Sequence, residues 1–362
     1  MRSLLLSLCL LSLAFTARSQ STPKYSNEFL NIGVSARAFG MSNAVITSVN
    51  DVTAGYWNPA GLTKMDDNLQ VSFMHSNYLA GIANYDYLGV GTRLKNGNAL
   101  SFSMVRFGVD GIPYTVDLIN NGQIDYNRVS EFSAVDYGFF ASYARNLLKE
   151  GLTIGGSAKI IHRSAGEFTK AWGFGIDLGA QYEAPNGLRL AAVARDVTTT
   201  FNAWNYSFTE SEKDVFAQTG NDIPVNSLEI TLPKFLLGVG YTWQIDEQFT
   251  LNSEANFVIN TDGKRNTLIR SNFVSLDPNI GLELGFKNLV YARLGAGNFQ
   301  QVQAITGEDE WQFQPTAGIG LNLNQFSLDY AFTDIGNQSI ALYSHVFSIR
   351  MGINPPDQAA QK

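Results

Sequence analysis

The feature that most constrains this chain is a two-residue alternation, repeated in segment after segment, that sets an apolar face against a face of glycine and polar residues. From Trp172 the apolar set runs Trp172, Phe174, Ile176, Leu178, Ala180 and Tyr182, and Gly173, Gly175, Asp177, Gly179, Gln181 and Glu183 fall between them. Successive side chains of a strand point to opposite faces, so one face is apolar and the other small and wet. Phe249, Leu251, Phe257 and Ile259 repeat the pattern against Thr250, Asn252, Glu254 and Asn256, as do Ile280, Leu282, Leu284 and Phe286 against Gly281, Glu283, Gly285 and Lys287. A soluble sandwich alternates too, but its polar face is the outside and usually carries many Lys and Glu. Here that face is rich in Gly, Ser, Thr and Asn, which reads as the inside of a membrane wall.

Composition agrees. Charged residues make up 16% of the 362 and aromatics 12%, low and high respectively for a soluble protein and as expected where much of the surface meets lipid. A formal net charge of -7 argues against nucleic acid as a partner, since nothing here would collect phosphates. Residues 1–19 read as a signal peptide: Arg2, an apolar stretch from Leu4 to Phe15, then Ala17 and Ser19 before Gln20. That stretch is too short to span a bilayer, and no later one approaches the ~20 apolar residues a membrane helix needs. The only cysteine, Cys9, lies inside it, so the processed chain would hold no disulfide, thiol nucleophile or thiolate metal site.

We count about 14 segments of roughly ten residues, starting near Asn68, Tyr85, Asn98, Ala134, Gly151, Trp172, Leu188, Lys234, Gln248, Asn279, Leu289, Trp311, Gln325 and Ala341. Short links, such as Ala184 to Gly187 and Lys287 to Asn288, alternate with long ones, such as Gly108 to Ser133 and Val197 to Pro233. Bacterial outer-membrane barrels have short periplasmic turns, long external loops, an even strand number and both termini on the periplasmic side, and the chain fits that plan. Tyr182, Tyr241 with Trp243, and Trp172 stand near segment ends, where an aromatic girdle would sit. The expected fold is an all-β membrane protein, an antiparallel transmembrane β-barrel of about 14 strands over residues 68–354, with a small N-terminal, partly helical hatch in the lumen from 20–67 and a polar tail at 355–362. The expected location is the outer membrane of a Gram-negative cell, with its lipid as partner.

Within the hatch, Phe29, Ile32, Ala36 and Phe39 recur at helical spacing over Glu28 to Met41. Pro59 fixes its own backbone and biases Asn58 away from helix, while Gly61 permits a tight turn. Arg37 reads either as a solvated position or as pointing into the barrel, where Asp51 or a lumen carboxylate would have to offset its desolvation. Candidates facing the lumen are Asp177, Glu183, Glu254, Glu283 and Asp329 with Lys159, Arg163, Arg189, Arg293 and Arg350, whose mixed signs suggest internal ion-pair networks.

The stretch NEFLNIGVSARAFGMSNA, Asn27 to Ala44, followed by DVTAGYWNPAGL, Asp51 to Leu62, resembles the PorV/PorQ family of outer-membrane barrels, a family similar to the FadL superfamily of 14-stranded barrels with an N-terminal hatch. The resemblance covers a small part of the chain. It implies a hatch motif of Arg37, Gly40, Asp51, Trp57, Asn58, Pro59, Ala60 and Gly61. It also implies an accessory role in type IX secretion, with translocon components and secreted cargo carrying C-terminal sorting domains as partners. The alternative implied by the wider superfamily is a channel for long-chain fatty acids or other hydrophobic small molecules. The WNPAGL form stands closer to the broader family than to PorV proper, and the last strand lacks a terminal aromatic residue. On the long loops Phe201, Trp204, Tyr206 and Phe208 are candidate contacts for cargo or ligand.

Signals for chemistry are few. Five G-x-G pairs occur (Gly89/Gly91, Gly173/Gly175, Gly238/Gly240, Gly295/Gly297, Gly318/Gly320), none with nucleotide-fingerprint spacing; each pair shares one strand face and would let another backbone approach the wall. His75, His162 and His345 lack metal spacing, and no serine sits in a nucleophile elbow. Asp117, Asn121, Gly122, Ile124 and Asp125 match part of a calcium loop, but Ile119 and Arg128 stand where oxygen ligands are needed, and an Asn/Gly turn is the simpler reading. No enzyme activity, cofactor or metal is expected.

Overall fold

The computed structural model describes residues 25–120, 123–147, 151–303, 307–336 and 342–354. The proposed signal peptide and the polar tail lie outside them. The wall is one antiparallel sheet closed on itself, built from β1 (Leu69–Tyr78), β2 (Ala83–Arg93), β3 (Ala99–Tyr114), β4 (Ser130–Asn146), β5 (Leu152–Ala165), β6 (Thr169–Glu183), β7 (Leu188–Arg195) and β8 (Thr200–Tyr206). It continues through β9 (Ser227–Thr231), β10 (Lys234–Gln244), β11 (Phe249–Asn260), β12 (Ser275–Phe286), β13 (Val290–Gln303), β14 (Asp309–Leu323), β15 (Phe326–Thr333) and β16 (His345–Ile353). Pairing of β1 with β16, Leu69 opposite Ile353, closes the ring.

Two of these crossings are interrupted. β6 pairs with β7 over Leu178–Glu183 and with β8 over Thr169–Phe174, so β7 and β8 are one wall strand broken at 196–199; likewise β9 and β10 form one strand broken at Leu232–Pro233. The barrel therefore has 14 crossings. The break follows from local chemistry: Asp196 and Thr199 take left-handed φ of 57° and 58°, and Pro233 has no N–H to give a ladder. Sequence reading assigned all of Val197 to Pro233 to a loop. Instead the wall resumes in Thr200–Tyr206 and Ser227–Thr231 beyond the interruption. β4, β6 and β12 likewise start three or four residues before the expected positions, because the ladders run past the apolar band where alternation no longer marks them.

Burial along the strands inverts the order of a soluble protein. In β6 the apolar residues Trp172, Phe174 and Leu178 are exposed, whereas Gly173, Gly175, Asp177, Gly179 and Gln181 are buried. Phe235, Leu237 and Val239 of β10 and Ile280, Leu282 and Leu284 of β12 are exposed in the same way. An outer surface of large aliphatic and aromatic side chains is stable only against acyl chains. Among the described residues no helix is long and apolar enough to cross a membrane, and the strands do the crossing.

The polar inner face is covered by the hatch. Residues 25–67 fold inside the lumen as a 3-10 turn (Glu28–Asn31), α1 (Ala36–Gly40), α2 (Ala54–Trp57) and a second 3-10 turn (Pro59–Lys64). The helix expected over Glu28 to Met41 is thus two short pieces, parted where Gly33 and Ser35 take φ of +109° and +81°. Val34, Met41, Ile46, Val52 and Leu62 are fully buried, so the main hydrophobic core belongs to the plug and not to the wall.

Each strand has its long-loop end and its short-turn end, and the C-terminal strand ends at the short-turn rim, where Asn354 Nδ2 donates to Asp67 Oδ1 at 2.6 Å. Sequence reading placed both termini there. The N-terminus lies outside the described residues; Tyr25, the first of those, is near the long-loop rim, held by hydrogen bonds from Asn27 to Thr231 and from Asn202 to Asn27 and by an ion pair of Glu28 with Arg265 at 2.9 Å.

Candidate functional site

The hatch is seated on the wall at three places, and the hatch-motif residues divide among them. On one side Arg37 forks onto Glu283 of β12, Nε to Oε2 at 2.8 Å and Nη2 to Oε1 at 3.0 Å; Arg293 of β13 reaches the same carboxylate at 2.7 Å and Asp329 of β15 at 2.7 Å. Burial works against the Arg37 charge, but Glu283 outweighs it and raises the guanidinium pKa above its ordinary value. Close by, Gly40 lies on Gly318 of β14, and a Cβ on either would meet the other's Cα at about 3 Å. The partner Arg37 requires is therefore the lumen carboxylate, while Asp51 is taken elsewhere.

At the second place Asp51 pairs with Arg350 of β16 at 2.9 Å. Burial pushes its carboxyl up, but Arg350 together with the Thr53 hydroxyl and amide holds it below the usual carboxylate range.

The third is the Asn58-Pro59-Ala60-Gly61 turn. Asn58 is wholly buried; its Oδ1 accepts from Ala60 N–H at 3.2 Å, and its Nδ2 donates to Ile46 O and to Ala180 O of β6, both at 3.1 Å. Pro59 opens the 3-10 turn with the φ it already prefers. The Pro59–Ala60 peptide lies on Gly155 of β5, where a Cβ would come within 2.5 Å of the Pro59 carbonyl carbon, and Asn58 Oδ1 lies on Gly179. Trp57 Nε1 donates to Val34 O at 2.9 Å, and Arg195 of β7 stacks on Tyr56 and Trp57 while donating to Leu30 O and Tyr56 O. Of the glycines two apart, Gly295 meets the Met41–Ser42 backbone and Gly318 that of Gly40, Gly91, Gly238, Gly240 and Gly297 meet the hatch side chains Val52, Thr47 and Ser42, and Gly89, Gly173, Gly175 and Gly320 meet residues of the wall itself.

Above the hatch a cavity of about 800 Å³ opens toward the long-loop rim. Its floor is Phe29, Ile32, Phe39 and Trp57 of the hatch; Phe107, Leu236 and Val258 continue the apolar side, and amide side chains of β11 to β14 form the other. Of the cations that line it, Arg163 pairs with Asp136 at 3.0 Å and Glu229 at 3.4 Å and Arg265 with Asp262 and Glu28, whereas Lys234 bonds the neutral Asn31 and Arg195 the carbonyls of Leu30 and Tyr56.

Over this vestibule the inner faces of β3, β4 and β8 extend past the apolar band and carry a set of half-buried aromatic residues, here called the crown. Trp204, Tyr206 and Phe208 follow one another at ring separations of 6.3 and 6.0 Å with planes 23° and 19° apart, and Phe216 of α3 (Glu210–Thr219) packs on Phe208 at 5.2 Å. Tyr114 and Phe132 pack on Phe168, and Tyr114 donates to Glu212 of α3 at 2.7 Å. Glu212 also closes a capping box with Thr209, which fixes the start of α3, and these bonds hold its carboxyl low against the effect of burial. Arg163 joins crown to floor: its guanidinium lies 5.0 Å from the Trp204 ring and 5.8 Å from that of Phe29, and Glu229 accepts from Trp204 Nε1 at 2.6 Å.

Trp204, Tyr206 and Phe208, singled out from sequence, thus stand together in the crown. Phe201 is on the opposite face of β8 and is exposed on the outside of the wall. Arg163 was seen only as a lumen cation, and Tyr114, Phe132, Phe168 and the amides were not singled out at all; the signal they carry is inward parity continued beyond the apolar band. At the Asp117 loop, Ile119–Asn120 pairs with Gln123–Ile124 as a small hairpin, and residues 121 and 122 at its tip lie outside the described ones. Among the described residues no three His, Cys, Asp or Glu side chains are grouped to hold a metal.

No protein-family model matches the chain, and no curated protein sequence does. Solved structures match over most of its length at low identity. The CymD monoaromatic hydrocarbon channel is similar at 11% identity, covering 90% of this chain and 98% of its own with a TM-score of 0.56. The Pseudomonas putida toluene transporter TodX gives 12%, 89%, 98% and 0.55, and a Pseudomonas aeruginosa FadL homologue 11%, 88%, 97% and 0.51. The fold is that of the FadL-like outer-membrane channels.

Proposed function

We propose that this protein is an outer-membrane uptake channel that takes a small molecule with substantial apolar surface into the vestibule and passes it on when the hatch shifts. The observation that carries this is the cavity of about 800 Å³ over the plugged lumen, with an apolar floor of Phe29, Ile32, Phe39 and Trp57, within the size range of small-molecule sites. The FadL-like fold supports it, since the similar structures are channels for hydrophobic compounds. On this reading the long-loop rim faces the exterior, and no residue is assigned a catalytic role. Proteoliposomes carrying the protein should accumulate a permeant hydrophobic probe faster than empty vesicles, and detergent-solubilised protein should bind its solute saturably. Equal accumulation in both, with no saturable binding, would remove the proposal.

A second reading, hand-off of secreted proteins in type IX secretion, is favoured by the hatch sequence resemblance and by a crown that projects beyond the wall. It expects co-purification with translocon components and loss of sorting-domain cargo from the surface of a deletion strain. Normal export in that strain would dismiss it.

A further inference from the structure

The hatch is held differently on the side of β7, β10 and β11. There residues 43–50 cross the plug from the vestibule, which Asn43 lines, to Asn50, which is exposed and does not line it. They hold turns but neither helix nor ladder, and the chain enters them through Ser42 and Asn43 at left-handed φ of 51° and 63°. On the glycines of the wall they rest through one side chain: a Cβ on Gly238 would meet Thr47 Cγ2 at 2.7 Å, and one on Gly240 would meet Thr47 Oγ1 at 2.5 Å. Wall side chains supply the polar bonds. Glu254 accepts from Thr47 N–H at 2.7 Å, Asn256 donates to Asn43 O at 3.2 Å, and Gln181 donates to Ile46 O at 2.9 Å and Val49 O at 3.2 Å.

These bonds leave buried groups unmatched, and the unmatched groups are complementary. Strand register places Arg189 of β7, Gly240 of β10 and Glu254 of β11 in one row, with the glycine between the two charged residues. Arg189 is 7% exposed and Glu254 2%, yet Arg189 Nε and Nη2 and Glu254 Oε2 have no hydrogen-bond partner among the described residues. Only Nη1 of the guanidinium is bonded, to Asn252 and Thr242. Thr47 stands over the glycine as a wedge: its amide is on Glu254, its hydroxyl has no partner, and Arg189 Nη2 lies 3.3 Å from the Cβ position of the same Gly240. Opposite charges buried and kept apart are costly, and taking the wedge away lets them meet. Asn43 Oδ1, Gln181 Oε1 and Asn256 Oδ1 around the same segment are unmatched as well, whereas Arg37, Asp51 and Asn58 at the other seats are bonded to the wall or within the hatch.

We infer that residues 43–50 are the part of the hatch that moves, that their withdrawal lets Arg189 and Glu254 close over Gly240, and that the vestibule empties along the inner face of β11 so bared, past Asn256, Glu254 and Asn252. The new ion pair offsets the Thr47 bond that is given up, so the displaced state leaves no bare carboxylate. This rests on the uptake reading and assigns its passage to one side of the lumen.

The test locks one side of the hatch at a time. In T47C/G240C and in G55C/S101C a Cβ built on the glycine lies 2.5 Å from the oxygen that the other cysteine replaces, Thr47 Oγ1 in the first and Ser101 Oγ of β3 in the second. Disulfide closure, verified by mass, pins residues 43–50 in one variant and α2 in the other. In intact Gram-negative cells expressing the full chain, uptake of radiolabelled toluene or oleate should fall at least tenfold in oxidised T47C/G240C and recover on reduction. Oxidised G55C/S101C should stay within twofold of the native rate. Native uptake with the first bridge closed, or equal loss with both, would overturn the assigned passage and leave the uptake reading intact. Uptake of neither probe by the native protein would overturn both. E254Q keeps an acceptor for Thr47 but no charge for Arg189 and should slow uptake at least threefold; a native rate would overturn the part given to the ion pair. Hydrogen exchange checks the motion without a solute. The Thr47 amide, bonded to Glu254, should be at least tenfold less protected than those of Ala36 and Val52, bonded to Ser348 and Gln70 of the wall. Equal protection at all three would overturn the moving segment.

Discussion

The hatch and the crown occupy the two halves of one lumen and are fitted to the wall in opposite ways. Below, the wall offers glycine: the hatch backbone lies directly on it at Gly155, Gly295 and Gly318 and the Asn58 side chain on Gly179, with ion pairs to Glu283 and Arg350 besides. Above, the same inward strand positions carry Tyr114 and Phe132, which pack on Phe168, and Trp204 and Tyr206, which pack on each other, all of them half-buried. Glycine seats let the hatch pack closely on the wall, which makes the lower half a stopper. Large rings on an open rim leave surface to be covered, so the upper half is a receiver. The difference assigns closure to one set of residues and recognition to another, and variants in one should leave the other unaffected.

The largest effect is expected where the seat itself is filled. A Cβ at Gly155 would lie 2.5 Å from the Pro59 carbonyl carbon and 2.7 Å from Ala60 N, both backbone atoms that cannot swing aside. G155V should therefore expel the hatch from the β5–β6 side while the barrel still closes. In planar bilayers it should turn a nearly silent protein into one with persistent ion current; a silent G155V with a protease-resistant hatch would show that the seat is not what shuts the lumen. E283Q comes next. It leaves Arg37 and Arg293 buried beside a neutral amide, a loss of about 3–5 kcal/mol for breaking a buried pair. A fall in the urea midpoint for unfolding is the readout, and E283Q should leave solute binding by the crown far less changed than W204A does.

Much of this division could be read from the sequence, and its limits have physical causes. Alternation identified the crossings because lipid enforces it: inside the apolar band each outward position must be greasy. Of the G-x-G pairs, Gly295/Gly297 and Gly318/Gly320 each hold a glycine on which the hatch backbone lies, whereas Gly155 and Gly179, which seat the Asn58–Gly61 turn, belong to no pair. Partners were harder. Arg37 belongs with Glu283, 246 positions away, and nothing local distinguishes Glu283 from Asp51 as its counter-ion. The crown was read as loop because lipid no longer enforces alternation there: Phe201 faces out and Trp204 in, yet by composition both look like loop aromatics. The vestibule amides lie on strands far apart in sequence, and only closure of the sheet brings them to one side.

The smaller effects sharpen the contrast. N58A keeps the hatch fold but leaves Ala60 N–H without its partner and removes one bond each from Ile46 O, which keeps Gln181 Nε2, and Ala180 O, a cost of about 1–3 kcal/mol if water does not enter. Hydrogen exchange should quicken at the Ala60 amide and stay unchanged across Trp204 to Phe208. Exchange spreading into the crown would show that the two halves are coupled.

The smallest effect is one of pH. The Asp51 carboxyl has its pKa below the ordinary 3.8, so its pairing with Arg350 contributes stability at every pH above that value and loses it as pH falls through the lower folded value. The gap in urea midpoint between the native protein and D51N should be constant from about pH 7 to pH 5 and close only below about pH 4, since protonation then does to the native protein what the substitution did already. A gap that closes between pH 7 and pH 5 would mean that Asp51 is not held ionised by Arg350, and that this side of the hatch is no tighter than the crown above it.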